Sequence, residues 1–305
     1  MSRGGYALLL GGQMGAAAGL GKRLAPLAEF RLWLEGVSPR VPEAGHLLLE
    51  APPETFADRF TGSRLMVLYD HACAVAALAR LGTPAALAGY SLGFYAAAAA
   101  AGCAPLEVFL EWVDRVNAES ARTFPPRTFS LAVSVGLDRE ALEGRFAAWG
   151  LRGLAVANVN NRSQLVFTGP AEEVREGIER LEGVALDARA IPMDVPIHSR
   201  HMEPVAAAVT PWWNRIPLLE PRLPLLSPVD GLPVRSAEEL RRLLPLSLAR
   251  PTDWAAVVEG LRRIEVEWAL DVSPDGALAR MTRWSWRDFS VKPVSALSGS
   301  AGPRG

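Results

Sequence analysis

The pentapeptide Gly89-Tyr90-Ser91-Leu92-Gly93 stands between an apolar run, Ala85 to Ala88, and an alanine-rich stretch, Tyr95 to Ala101. A Gly-x-Ser-x-Gly turn that joins a strand to a helix is a nucleophile elbow. Neither glycine carries a Cβ, so the backbone can reverse sharply and lift the serine above the sheet edge. The helix that follows directs its first amides at the same point, where they can stabilise an oxyanion. A chain built around such a turn needs a parallel α/β sheet to hold it.

The rest of the chain supplies one. Tyr6 to Leu10 reads as a buried first strand turning at Gly11-Gly12-Gln13. Leu65 to Leu81 reads as a buried helix, and Leu106 to Arg122 has Leu106, Phe109, Leu110 and Val113 on one helical face. After Pro125-Pro126 the pattern changes. Strands are expected over Ser130–Gly136, Leu154–Val159, Gln164–Thr168 and Ala185–Met193, with a tight turn at Asn160-Asn161. Helices are expected over Asp138–Gly150, with Asp138 as N-cap, and over Ala171–Leu181. That β-α-β-β-α-β order is ferredoxin-like. Beyond Met193 the α/β pattern returns, with helices over His201–Trp213 and Trp254–Arg263 and a strand over Glu267–Val272. The fold class expected is α/β, a hydrolase-like parallel-sheet domain with an inserted ferredoxin-like (βαββαβ) subdomain. Residues 1–126 and 194–295 form the large discontinuous domain, 127–193 the insert, and 296–305 a disordered tail.

Bulk properties narrow the partners. Of 305 residues 50% are hydrophobic and 21% charged, enough for a substantial core. A net charge of −1 without basic blocks does not suggest nucleic acid. No apolar run reaches the roughly 18–20 residues of a membrane span, and Leu8–Leu10 lacks the flanks of a signal peptide. Cys73 and Cys103, in alanine-rich helical surroundings, read as buried thiols. A cytoplasmic protein is expected.

A serine hydroxyl needs a base within hydrogen-bond reach. Of four histidines, His71 sits in an apolar helical run and His46 has no catalytic context. His198 follows Asp194-Val195-Pro196-Ile197 at a strand end, where Pro196 keeps the backbone extended; a helix-capping role is the plain alternative.

Together these blocks resemble malonyl-CoA:acyl-carrier-protein transacylases and the acyltransferase domains of polyketide and fatty acid synthases. Leu10-Gly11-Gly12-Gln13 resembles the family's Pro-Gly-Gln-Gly, and Gly89 to Tyr95 its Gly-His-Ser-Leu-Gly-Glu-Tyr. Ala157-Asn158-Val159-Asn160 with Gln164 to Gly169 resembles its Asn-x-Asn and strand-Gly segment. Val195 to Ser199 with Met202-Glu203-Pro204 resembles the block carrying its histidine. The resemblance implies that Ser91 and His198 are catalytic and that the amides of Gln13 and Leu92 form the oxyanion hole. It also implies a pocket including Tyr90, Phe94, Asn158 and Asn160. An acyl group would pass from acyl-CoA to the phosphopantetheine thiol of an acyl carrier protein through an acyl-serine, with no metal and no organic cofactor. A backbone carbonyl would orient the histidine, and Arg250-Pro251-Thr252-Asp253-Trp254 matches its location.

The departures bear on substrate. Met14, Tyr90 and Phe94 replace the family's glycine, histidine and glutamate. Family members that take malonyl groups carry an arginine on the helix after the elbow. An ungapped count puts Val116 there and Arg115 beside it, about 100° round the helix, so the register decides. With Arg115 inward the donor is malonyl-CoA; with Val116 and Phe94 inward an uncharged acyl chain fits better. Two other activities remain open on the same residues, an editing hydrolase of acyl-carrier thioesters and a non-catalytic docking member of the family.

Overall fold

The computed structural model describes residues 5–13 and 16–297. Met14 and residues 298–305 of the expected tail lie outside the described residues. Strand β1 (Tyr6–Leu10) is buried along its whole length. Its alternate side chains feed two cores: Tyr6, Leu8 and Leu10 pack on one face of the sheet, Ala7 and Leu9 on the other. That period of two is what a central parallel strand requires. Helices α1 (Ala28–Val37) and α2 (Arg59–Leu81) lead to β2 (Ala86–Gly89), α3 (Leu92–Ala100) and α4 (Leu106–Thr123). Helix α2 begins six residues before the expected Leu65, because the Asp58 side chain caps it by accepting from the Thr61 amide at 2.9 Å.

The smaller sheet comes next, through β3 (Phe129–Val135), α5 (Arg139–Ala148), β4 (Ala155–Asn161), β5 (Gln164–Pro170), α6 (Ala171–Leu181) and β6 (Asp187–Ile191). The Asp138 side chain accepts from the Ala141 amide at 2.8 Å, as an N-cap should. The turn falls at Arg162-Ser163, two residues later than expected: Asn160 and Asn161 stay in the strand, and Asn161 Oδ1 accepts from the Ser163 amide at 2.9 Å. The chain continues through α7 (Glu203–Trp213), β7 (Leu225–Leu226), β8 (Pro233–Val234), α8 (Ala237–Ala249) and β9 (Thr252–Asp253). It closes with α9 (Trp254–Arg263), β10 (Trp268–Asp271), α10 (Ala277–Ser285) and β11 (Ser290–Pro293).

The large sheet runs β11-β10-β1-β2-β7-β8, parallel except for the final β7–β8 pair. The small sheet runs β6-β3-β5-β4-β9. Its first four strands pair antiparallel, the split β-α-β-β-α-β arrangement. The fifth, β9, is drawn from the 194–295 stretch expected to belong wholly to the large part, and pairs Thr252 with Asn158. The two sheets are thus stitched at β9. Ala296 and Leu297, expected to open a disordered tail, finish a short 3-10 helix from Val294, with Leu297 buried.

The elbow lies where β2 meets α3. A Cβ at Gly93 would fall inside contact distance of the Leu10 and Gly11 carbonyls, and one at Gly89 would overlap the Phe94 amide. Both glycines are therefore required by close backbone approach, and the alanines of α3 let it lie buried from Leu92 to Ala99 against α2.

Candidate active site

Ser91 has φ 54 and His198 φ 58, two of four non-glycine residues with positive φ among those described. Each such backbone costs about 1–3 kcal/mol, held here by the surrounding fold. The strain brings the side chains together, Ser91 Oγ lying 2.9 Å from His198 Nε2. His198 Nδ1 is 2.6 Å from the Ser247 carbonyl. A carbonyl only accepts, so Nδ1 carries the proton and Nε2 is left to accept from the serine hydroxyl. Burial pushes His198 down to about 4, partly opposed by the bond to Ser247, so the ring is neutral near pH 7.

The orienting carbonyl comes from Ser247, in the last turn of α8, and not from the Arg250–Trp254 segment. The reason is local. The amide four residues on would belong to Pro251, which has no N–H, so the Ser247 carbonyl has no helical donor. Pro245 does the same six residues earlier, and there the freed Arg241 carbonyl accepts from Trp213 Nε1 at 3.1 Å. Helix α8 carried a readable signal, Ser236-Ala237-Glu238-Glu239. Ser236 Oγ accepts from the Glu239 amide at 3.1 Å, half of a capping box.

The pair opens into a cleft of about 380 Å³ between the sheets, the size of a ligand pocket. Leu131, Val133 and Val166 of the small sheet form one wall, with Asn158 and Asn160 two apart on the same face of β4. Tyr90 lies opposite and donates to Asn160 Oδ1 at 2.7 Å, tying the elbow to the small sheet. Gln13 also lines the cleft, and Leu92 is the first residue of α3, where an amide has no intrahelical acceptor.

Two expected pocket residues are elsewhere. Arg115 points away from the cleft: it pairs with Glu111 at 2.6 Å and stacks 4.5 Å over the Trp212 ring. Val116, about 100° round α4, faces inward and lines a smaller chamber beside Gln13 and Leu92. Phe94 is 1% exposed within the main core and lines neither cavity. Because α3 starts at Leu92, Phe94 falls on the face that packs inward. Unforeseen in the same chamber is Arg59, from the first residue of α2.

The other histidines are accounted for. His71 Nδ1 accepts from Trp33 Nε1 at 2.9 Å, and burial pushes the ring down to about 4. His46 is exposed beside Glu50, and His201 Nε2 lies 2.8 Å from the Gly153 carbonyl. Cys73 and Cys103 are buried free thiols. Among the described residues no three His, Cys, Asp or Glu side chains gather as a metal site would require, and no helix is long and apolar enough to cross a membrane.

Comparison with known proteins adds family and fold. Residues 68–278 match the sequence model of a family described as acyl transferase domain. The chain is 30% identical over 203 residues to the polyketide biosynthesis protein ThaF of Burkholderia thailandensis, covering 66% of this chain and 17% of ThaF. It is 28% identical over 224 residues to the malonyl CoA-acyl carrier protein transacylase of Escherichia coli K12, covering 70% of this chain and 69% of that one. The structure of the malonyl CoA-acyl carrier protein transacylase from Coxiella burnetii superposes with TM-score 0.90 at 22% identity, over 97% of this chain and 95% of its own. A malonyl-transacylase solved in complex with its type II PKS acyl-carrier protein gives 0.89 at 23% identity, over 97% and 100%. At such identities these two likenesses speak for the fold.

Proposed function

This chain belongs to the acyl transferase domain family, and we propose that it moves an acyl group from acyl-CoA to the phosphopantetheine thiol of an acyl carrier protein through an ester on Ser91. The observation that carries this reading is the 2.9 Å contact between Ser91 Oγ and a His198 whose other nitrogen is held by Ser247. In the first half-reaction Ser91 Oγ attacks the thioester carbonyl while Nε2 takes its proton. The C–S bond breaks, and the departing CoA sulfur takes the proton back from Nε2. In the second, the carrier thiol gives its proton to Nε2, attacks the ester, and Ser91 leaves protonated. The developing oxyanion sits between the amides of Gln13 and Leu92. Every step balances with these groups alone.

The cleft favours a pantetheine arm, long and only partly polar, between Leu131 and Val166 on one side and Leu278 and Met281 on the other. The same reading keeps 1–126 with 194–295 as one unit, apart from β9, which pairs into the smaller sheet, and 127–193 as the inserted one. Neither metal nor organic cofactor takes part in it.

The test is intact-mass measurement after incubation with a panel of acyl-CoAs. Wild type gains one acyl mass and Ser91→Ala gains none. Adding a phosphopantetheinylated carrier protein moves that mass onto the carrier. Release to water with no acyl-carrier product would replace transfer with thioester hydrolysis. A Ser91→Ala protein that still loads would leave this site without its nucleophile.

A further inference from the structure

The loop Gly11-Gly12-Gln13 supplies one of the two oxyanion amides in this reading, yet it has little means of holding its own shape. Two glycines in a row bring no Cβ to restrict the backbone, so the pose of the loop is set by what touches it. A Cβ at Gly12 would lie 3.0 Å from the Tyr90 ring, and one at Gly11 would lie 3.1 Å from Ser273 Cβ. The Gly11 carbonyl rests against Gly93 of α3. From α2 comes Asp70, whose Oδ1 would lie 3.8 Å from a Cβ at Gly11.

A carboxyl group is an odd neighbour for that loop. Asp70 is 0% exposed in the middle of α2, and neither of its oxygens meets a hydrogen-bond partner among the described residues. The Gly11 amide faces the carboxyl without reaching hydrogen-bond geometry. Asp271, at the end of β10, stands near it with both oxygens engaged by the amides of Ser273 at 2.8 Å and Ala279 at 2.7 Å. Burial pushes the Asp70 carboxyl well above the usual carboxylate range; the Gly11 amide opposes this and Asp271 adds to it, so Asp70 is a neutral acid. Tyr69 and Cys73, beside it on α2, are neutral as well, since burial raises both. A polar group buried without a partner weakens a fold, and an apolar side chain of the same shape does no worse in its place. Packing alone therefore does not account for Asp70.

We propose that Asp70 is a positioning residue for the oxyanion hole: from behind Gly11 its carboxyl holds the Gly11–Gln13 loop so that the Gln13 amide stays aimed at the acyl carbonyl oxygen. The inference rests on the acyl-Ser91 reading and adds to it a residue that lines neither cavity. The acid form suits the task. It offers the Gly11 amide an acceptor and carries no charge, whereas an ionised carboxylate behind the loop would oppose the negative charge developing in front of it. A loop free to relax still lets the thioester bind, and loses contact as the oxygen becomes an oxyanion. The deficit then falls on the rate of the chemical step and not on binding.

The experiment takes the acyl-CoA of the panel that loads wild type fastest, with ¹³C at its thioester carbonyl, and compares Asp70→Leu and Asp70→Asn with wild type. Asp70→Leu is expected to slow single-turnover acylation about 10- to 100-fold, less than the loss of a whole oxyanion donor, and to leave the half-saturating acyl-CoA concentration within about twofold. Its urea midpoint is expected to equal or exceed that of wild type, which a purely structural role for Asp70 would not allow. The infrared stretch of the acyl-Ser91 carbonyl moves to higher frequency as the hydrogen bond that polarises it slackens. Asp70→Asn keeps the shape, an acceptor and zero charge, so its rate stays within about threefold and its carbonyl band stays in place. If Asp70→Leu does not fold, Asp70→Ser, too short to reach the loop, shows the same slow rate and shifted band. Three results overturn the proposal and leave acyl-Ser91 standing: a Leu or Ser variant within about twofold of the wild-type rate, an unmoved carbonyl band in that variant, or an Asn variant equally slow. A wild type that loads no acyl-CoA at all removes both.

Discussion

Ser91 and His198 share a feature that separates them from nearly every other side chain in the molecule, a left-handed backbone at a residue with a Cβ. The elbow and the Pro196 segment hold them there, and the result is a base poised at hydrogen-bond distance without a carboxylate behind it. A consequence is testable by pH. The base works only when neutral, and His198 is pushed down to about 4. The acid limb of the first-order acylation rate should therefore fall near pH 4 to 5, well below the roughly 6.5 of a free imidazole. Single-turnover acylation between pH 4 and 8 measures it, and a midpoint at or above 6.5 would mean that the ring is not buried as described. At this scale the nucleophile and base were readable, because their local signals are strong: two glycines around a serine, and a proline before a histidine. Arg59 was not. Nothing in Asp58-Arg59-Phe60 separates an arginine aimed into a chamber from one on a solvated helix end. Arg115 was a candidate only as the neighbour of Val116, where the ungapped count put the family's arginine.

Among the elements, α3 and α8 carry the site by opposite means. Helix α3 arrives at the end of β1 with no clearance, and Gly93 is the residue that allows it. Gly93→Ala would drive its Cβ into the Leu10 and Gly11 carbonyls, and since both obstacles are backbone, the helix must shift. A loss of about 3 kcal/mol or more is expected from chemical denaturation, with acyl loading falling alongside as Leu92 and Gln13 separate. A variant with unchanged stability and loading would refute that packing. Helix α8 works by omission. Pro245 inside it and Pro251 just past its end leave carbonyls without helical donors, and Trp213 and His198 take them up. Proline inside a segment disfavours a helix, and none is expected from the sequence over 237–249; the orienting carbonyl at Arg250–Trp254 was what the family resemblance implied. The Ser236–Glu239 capping box argued otherwise and was the stronger local signal.

Across the whole molecule the cleft exists because two sheets of different construction face each other and are tied together beside it. Tyr90 bonds to Asn160, β9 pairs with β4, and His201 meets the Gly153 carbonyl. Stability should respond to pH through the two buried histidines. His71 and His198 are both pushed down to about 4, while in the unfolded chain each titrates near 6.5. Between those values the unfolded state binds the extra protons, so their contribution is full above pH 6.5 and is lost as pH falls towards 4. Burial raises Asp70 and Asp271, which act in the opposite sense over acid pH, so the total curve mixes the two. A difference isolates the histidine. His71→Gln keeps an acceptor for Trp33, and the stability gap between it and wild type should change by about 1 kcal/mol per pH unit between 6.5 and 4. A flat gap in urea titrations would remove His71 from the account.

By itself the amino-acid sequence determined the β-α-β-β-α-β order of the smaller sheet, the elbow and the histidine that serves it. Those depend on periods of two and 3.6 and on glycine and proline at set places, which act over a few residues. Only the tertiary structure decided that Val116 and not Arg115 turns inward, that Phe94 belongs to the core, that Ser247 holds His198, and that Arg59 reaches the chamber. Each of those outcomes depends on the angle at which one element is rotated against another. A single residue of register is worth about 100° on a helix, and packing between distant segments sets that angle.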